Sequence, residues 1–82
     1  MKEYKIQNEE KILAQNNAVL IDSFDGCLID NYLYQAKNGL IALFEQPLNC
    51  WSSEHVFMFA RSKKEQRELE NMFYSRMADC YS

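Results

Sequence analysis

Asn38-Gly39, set between two short apolar runs, is the feature that most restricts the folds open to this chain. The pair suits a type I′ turn, whose two central residues must both take positive φ. Tyr32-Leu33-Tyr34 and Leu40-Ile41-Ala42-Leu43-Phe44 then pair as antiparallel strands. A rival reading makes residues 28–37 a short helix closed by Gly39. Leu28, Tyr32 and Gln35, or Ile29, Leu33 and Ala36, fit that spacing. The run is short and rich in β-formers, which favours the hairpin.

Other strands follow by pattern. Tyr4 and Ile6 alternate with charged or polar neighbours, as in a half-exposed strand. A turn at Asn8-Glu9-Glu10 leads to a further short strand over 11–15. Ala18-Val19-Leu20-Ile21 is a continuous apolar strand, and Asp25-Gly26 turns the chain into Cys27-Leu28-Ile29. Pro47, which has no N–H for a ladder, ends the strand at 40–46. Val56-Phe57-Met58-Phe59-Ala60 forms the last strand.

After Ser62 the period changes. Ser62-Lys63-Lys64-Glu65 is a capping box, and Leu69, Met72, Phe73, Met77 and Cys80 recur at spacings of three and four. A helix over about 63–79 follows. The expected fold is α+β, an antiparallel four- or five-stranded sheet over about 2–60 with one C-terminal helix packed on one face. At 82 residues the chain makes a single domain.

Several strands are apolar at successive positions, so apolar side chains point to both faces of the sheet. One helix covers one face. The other would expose residues drawn from Leu20, Leu33, Ile41, Leu43, Phe57 and Phe59, a patch of the kind that marks an interface. Homodimerisation through the sheet is the simplest explanation. A dedicated partner face, a different strand count and a closed barrel are the alternatives.

Composition narrows the function classes. Twelve acidic against nine basic residues give a net charge of −3, which argues against direct nucleic-acid binding. The basic cluster Arg61, Lys63, Lys64 and Arg67 lies among Glu65, Glu68 and Glu70 and reads as a solvated helix start. The Met-Lys-Glu-Tyr-Lys-Ile start lacks the apolar stretch of a signal peptide, and no apolar run approaches a membrane span. Three widely spaced cysteines, Cys27, Cys50 and Cys80, do not suggest a disulfide framework. The chain reads as a cytoplasmic protein.

Residues 46–55 hold the only proline, tryptophan and histidine. Cys50 and His55 resemble a nucleophile–base pair, but an odd separation sends them to opposite faces of one strand, roughly 16 Å apart. Cys50 reads better as a small buried hydrophobe and His55 as a strand-edge polar group. Cys27, Cys50, Cys80 and His55 add up to a zinc-like set without the close ligand pairs such sites use. Asp22, Asp25 and Asp30 bracket a turn, where aspartate bonds its own backbone. Two glycines make no phosphate loop. No catalytic residue, metal or cofactor is expected. Trp51 remains, either as an anchor for a partner or as a lid folded back over the sheet end. Tyr32 and Tyr34, on one face of their strand, extend a recognition surface near it. The expected partner-binding residues are Asn49, Trp51, Ser52, Ser53, Glu54, Tyr32, Tyr34 and Asp25.

Leu48-Asn49-Cys50-Trp51-Ser52-Ser53, after the Lys37-Asn38-Gly39 hairpin and before an aromatic strand, resembles small accessory proteins of bacterial mobile elements and phages. The likeness covers about residues 18–60. Such compact acidic proteins include inhibitors of host defence, among them CRISPR inhibitors, that act by binding rather than chemistry. The resemblance implies a stoichiometric protein–protein role against a host defence protein. A charge of −3 is modest for a DNA mimic. The alternative is a small-ligand or nucleotide-binding dimer that stacks a ring on Trp51, Tyr32 and Tyr34.

Overall fold

The computed structural model describes residues 3–5, 8–26 and 28–81. In chain order the elements are β1 (Glu3–Lys5), α1 (Glu9–Gln15), β2 (Val19–Asp25), β3 (Asp30–Ala36), β4 (Gly39–Pro47), β5 (Ser53–Ala60) and α2 (Lys63–Tyr81). The strands form one antiparallel sheet in the order β1-β5-β4-β3-β2. The α+β architecture expected from the sequence is therefore present, with five strands and α2 packed on one face. Ile6 and Cys27, both assigned above to strands or their approaches, lie outside the described residues.

The hairpin forms, and residues 28–37 are not a helix. Its turn is displaced by one residue from the expected type I′ arrangement. Ala36 pairs with Gly39, which leaves Lys37-Asn38 as the loop. Neither takes a positive φ; Gly39 does, at 148°. Glycine is required at that point for space as well, because a Cβ there would collide with the Ala60 carbonyl oxygen. β4 is the central strand, and Gly39 through Phe44 are buried at every position. That pattern needs cover on both faces.

α2 supplies the first cover. Glu65 N–H donates to Ser62 Oγ at 3.1 Å and Ser62 N–H to Glu65 Oε1 at 3.3 Å, so the capping box closes as read. Leu69 and Phe73 are fully buried against Phe24, Leu33, Leu40, Ala42, Phe44 and Met58. Met72, Met77 and Cys80 pack beside them. Arg76 lays its guanidinium 4.5 Å from the centre of the Phe44 ring.

The second cover corrects two expectations. Residues 11–15 are helical rather than a strand, and Asn8 is the helix cap rather than a turn residue, its Oδ1 accepting from Lys11 N–H at 3.3 Å. Glu9-Glu10-Lys11 and Ala14-Gln15 are all strong helix formers, and two carboxylates at the N-terminus complement the helix dipole. β1 and β2 lie on opposite edges of the sheet, so the chain between them must cross a face. α1 makes that crossing, and Ile12 and Leu13 seal Ile41, Leu43 and Phe57 beneath it, none more than 3% exposed. The open apolar face expected to drive dimerisation is thus closed. Leu33 faces α2 instead, and Leu20 stands exposed on edge strand β2 beside Val19 and Ile21. A bulge between Leu20 and Asp22 bends that edge. No helix among the described residues is long and apolar enough to cross a membrane.

Candidate functional site

Register fixes which loops share an end of the molecule. Asp25 pairs with Asp30, Asp30 with Glu45 and Glu45 with His55. The β2–β3 loop and the β4–β5 loop therefore emerge side by side. The C-terminal turn of α2 joins them, with Tyr81 6.4 Å from Phe24 and Cys80 Sγ donating to the Asp25 carbonyl at 3.6 Å. Four exposed large apolar side chains, Leu28, Leu48, Trp51 and Tyr81, belong to these segments. Asp25, Asp30, Glu54 and Asp79 add negative charge around them.

The β4–β5 loop is built to hold one shape. Asn49 Oδ1 accepts from Trp51 N–H at 2.8 Å, from Ser52 N–H at 3.0 Å and from Ser52 Oγ at 3.3 Å. The Ser52 carbonyl in turn accepts from Leu48 N–H at 3.0 Å and Asn49 N–H at 3.3 Å. These five bonds tie a short loop to itself rather than to the sheet, an Asx-turn arrangement. Trp51 projects from it, 95% exposed. The lid reading is overturned by that figure. Cys50 is also exposed, not the small buried hydrophobe expected.

The remaining candidates divide. Ser53 and Glu54 open β5 just beyond the loop, and Glu54 pairs with Lys5 Nζ at 3.0 Å. Asp25 sits on the neighbouring hairpin at the same end. Tyr32 and Tyr34 are half-buried in the cluster beneath α1, and among the described residues no ring pairs with Trp51. The ring-stacking clamp of one tryptophan and two tyrosines is not assembled.

His55 is a second polar centre that the sequence did not reveal as such. It lies on β5 opposite Glu45 of β4, one residue before the described pairing with β1 begins at Val56. Its Nε2 is 3.3 Å from Glu45 Oε1, 3.6 Å from Glu9 Oε2 and 3.5 Å from Ser53 Oγ. Ser53 Oγ donates to Glu45 Oε1 at 3.4 Å. Serine, histidine and carboxylate are all present, yet a catalytic relay needs the acid on one ring nitrogen and the hydroxyl on the other. Here every partner meets Nε2. The imidazole meets Glu45 within hydrogen-bonding distance, whereas Glu9 of α1, whose buried Oε2 accepts no hydrogen bond, stands just beyond it. No group of histidine, cysteine and carboxylate side chains among the described residues is arranged to hold a metal ion.

The same carboxylates act on the tyrosines beside them. Burial raises the Tyr32 hydroxyl above the ordinary tyrosine value, with Asp30, Glu45, Asp25 and Glu9 adding to it. Tyr34 is raised by burial and then by Glu9 and Tyr32. The fold favours the neutral phenols, so the stability they contribute is complete below about pH 10 and is lost as pH rises beyond it. Circular dichroism during alkaline titration is expected to show loss of structure in that range. Replacement of both tyrosines by phenylalanine is expected to move the loss upward.

No protein family model, curated protein or solved structure matches this chain. The functional reading rests on the residues themselves.

Proposed function

We propose that this chain is a non-enzymatic binding module that blocks a protein partner by stoichiometric attachment at the end of the sheet. The observation that carries the reading is Trp51, almost wholly exposed on a loop fixed by its own hydrogen bonds. Solvent exposure of an indole brings no folding stability, whereas an exposed tryptophan on a loop whose backbone is already tied spares the ordering of that backbone on meeting a pocket. Leu48 and Leu28 widen the apolar contact, and Ser52, Ser53 and Asn49 supply polar atoms at its rim. The carboxylates of Asp25 and Asp30 at the same end favour a basic surface on the partner. The resemblance of residues 18–60 to mobile-element and phage accessory proteins makes a bacterial host defence protein the expected target.

A native pull-down with tagged wild type beside Trp51→Ala tests this. The wild type is expected to hold one protein at fixed stoichiometry, and the variant to bind it at least about thirty-fold more weakly, as at an interface hot spot. The stability of Trp51→Ala should match wild type within about 0.5 kcal/mol, since an exposed ring is removed. Equal capture by both baits would refute the assignment of the loop.

A further inference from the structure

α1 is a light cover for the surface it closes. None of its seven residues is buried, whereas Ile41, Leu43 and Phe57 beneath it are at most 3% exposed. A helix this short does not persist in water by itself, so its attachments decide whether it stays down. Those attachments differ at its two ends.

The C-terminal end is tied through backbone. Asn16 N–H donates to the Ile12 carbonyl at 3.2 Å and Ala18 N–H to the Leu13 carbonyl at 2.9 Å. The Asn16 carbonyl accepts from Lys37 N–H, in the β3–β4 turn, at 3.0 Å. Asn17 then takes the left-handed region at φ 50°, which asparagine tolerates, and turns the chain toward β2.

The N-terminal end meets the sheet through charge. Glu9 Oε2 is buried, accepts no hydrogen bond and lies 3.6 Å from His55 Nε2. Glu45 Oε1 approaches the same nitrogen at 3.3 Å, so one N–H faces two carboxylates. The other groups nearby do not redress the balance. On β3, Asp30 pairs with Glu45, and Tyr32 lies in the combined field of Asp30, Glu45, Asp25 and Glu9. Tyr34 also feels Glu9. Ser53 Oγ, 3.5 Å from Nε2, donates to Glu45. Lys5 of β1 is engaged by Glu54 at 3.0 Å. On α1 itself Glu10 and Lys11 are exposed, and α2 packs on the opposite face. An imidazolium places one positive charge between the two carboxylates. A neutral ring leaves like charges facing each other and a buried carboxylate oxygen without compensation, which costs free energy.

We infer that α1 is a pH-sensitive lid, hinged at Asn16-Asn17, shut by charged His55 and loosened at its Glu9 end when His55 gives up its proton. Imidazoles change charge between about pH 5 and 8, so the lid responds near neutrality. Its closing interaction is present at the acid side of that range and lost as pH rises. Opening bares Ile41, Leu43 and Phe57, ringed by Tyr32, Tyr34 and Phe59, an apolar face of the kind that binds. Trp51 has no part in this, so the inference stands apart from the proposed function.

Purified chain tests it. The methyl resonances of Ile12 and Leu13 are followed by NMR from about pH 5.5 to 8.5 at fixed ionic strength, beside the emission of a dye that binds apolar surface; ordinary carboxylates stay ionised throughout. Both methyls are expected to move toward unfolded-chain positions as pH rises, with dye emission growing about five-fold, the most that a partly exposed ion pair supports. Glu9→Gln leaves one carboxylate for the one N–H, and it should keep the wild-type circular dichroism and stay closed across the range. Ile12→Ala thins the cover and should bind more dye than wild type at every pH. Wild-type methyls that do not move with pH, or a movement that persists in Glu9→Gln, would overturn the inference. So would an Ile12→Ala variant that binds no more dye than wild type, because α1 would then not be the cover.

Discussion

Phe73→Ala is expected to lower the stability of the domain by about 3–5 kcal/mol in urea unfolding. A domain of this length holds on the order of 4–12 kcal/mol in total, so the variant sits near the edge of folding. Three observations set the size of the effect. Phe73 is fully buried, its ring stands 5.1 Å from Phe24 in an edge-on pair, and it shares its layer with Leu69, the only other fully buried residue of α2. Removing the ring leaves a hole between helix and sheet that neither Met72 nor Met77 can fill from its position on the stripe. Phe73→Leu, which keeps most of the volume, should cost about 1–1.5 kcal/mol. A midpoint shift worth less than 1 kcal/mol in the alanine variant would mean that α2 is held by something other than this layer.

α2 and its contact layer were legible because their signals are local and repeated. A capping box and five apolar residues at one spacing admit few readings. The strands were legible for the same reason, each marked by turn residues and β-formers. α1 was not. It has seven residues, too few to display a period, and Ile12-Leu13 side by side look the same in a short strand. The signal that identifies it is topological. Once β1 and β2 lie on opposite edges, the segment between them has to cross and cover a face, and edge order cannot be read from a single run of residues.

The consequence reached further than one helix. With α1 in place, the apolar face assigned to a dimer is closed, and Tyr32 and Tyr34 move from a recognition surface into the layer beneath it. For the site itself, composition located the loop, since the rarest residues gather at 46–55. Composition could not say whether Trp51 faces in or out. That depends on Asn49 bonding Trp51 and Ser52 rather than the sheet. The burial of Asn31 has no sequence signature, because one asparagine within a strand looks the same buried or exposed.

Gly39→Ala should be nearly as damaging as loss of Phe73, at about 3 kcal/mol, for reasons that involve no side-chain packing at all. At φ 148° the backbone lies where residues with a Cβ are strained, a cost of roughly 1–3 kcal/mol. The new methyl also strikes the Ala60 carbonyl, a main-chain atom of a fully buried residue that pairs with Leu40. Relief requires β4 and β5 to separate where the ladder begins. Asn38→Ala gives the contrast. Asn38 is exposed and takes no positive φ, so its replacement is expected to change stability by less than about 0.5 kcal/mol. In a type I′ turn over Asn38-Gly39 the order would tighten, because Asn38 would also need the left-handed region and its alanine variant would suffer. Urea midpoints for the two variants therefore decide the turn. Both changes lie at the end of the sheet opposite the Trp51 loop, so the folded fraction of Gly39→Ala should still hold the partner with wild-type affinity. Reduced affinity per folded molecule would mean that strain at one end of β4 reaches the loop at the other.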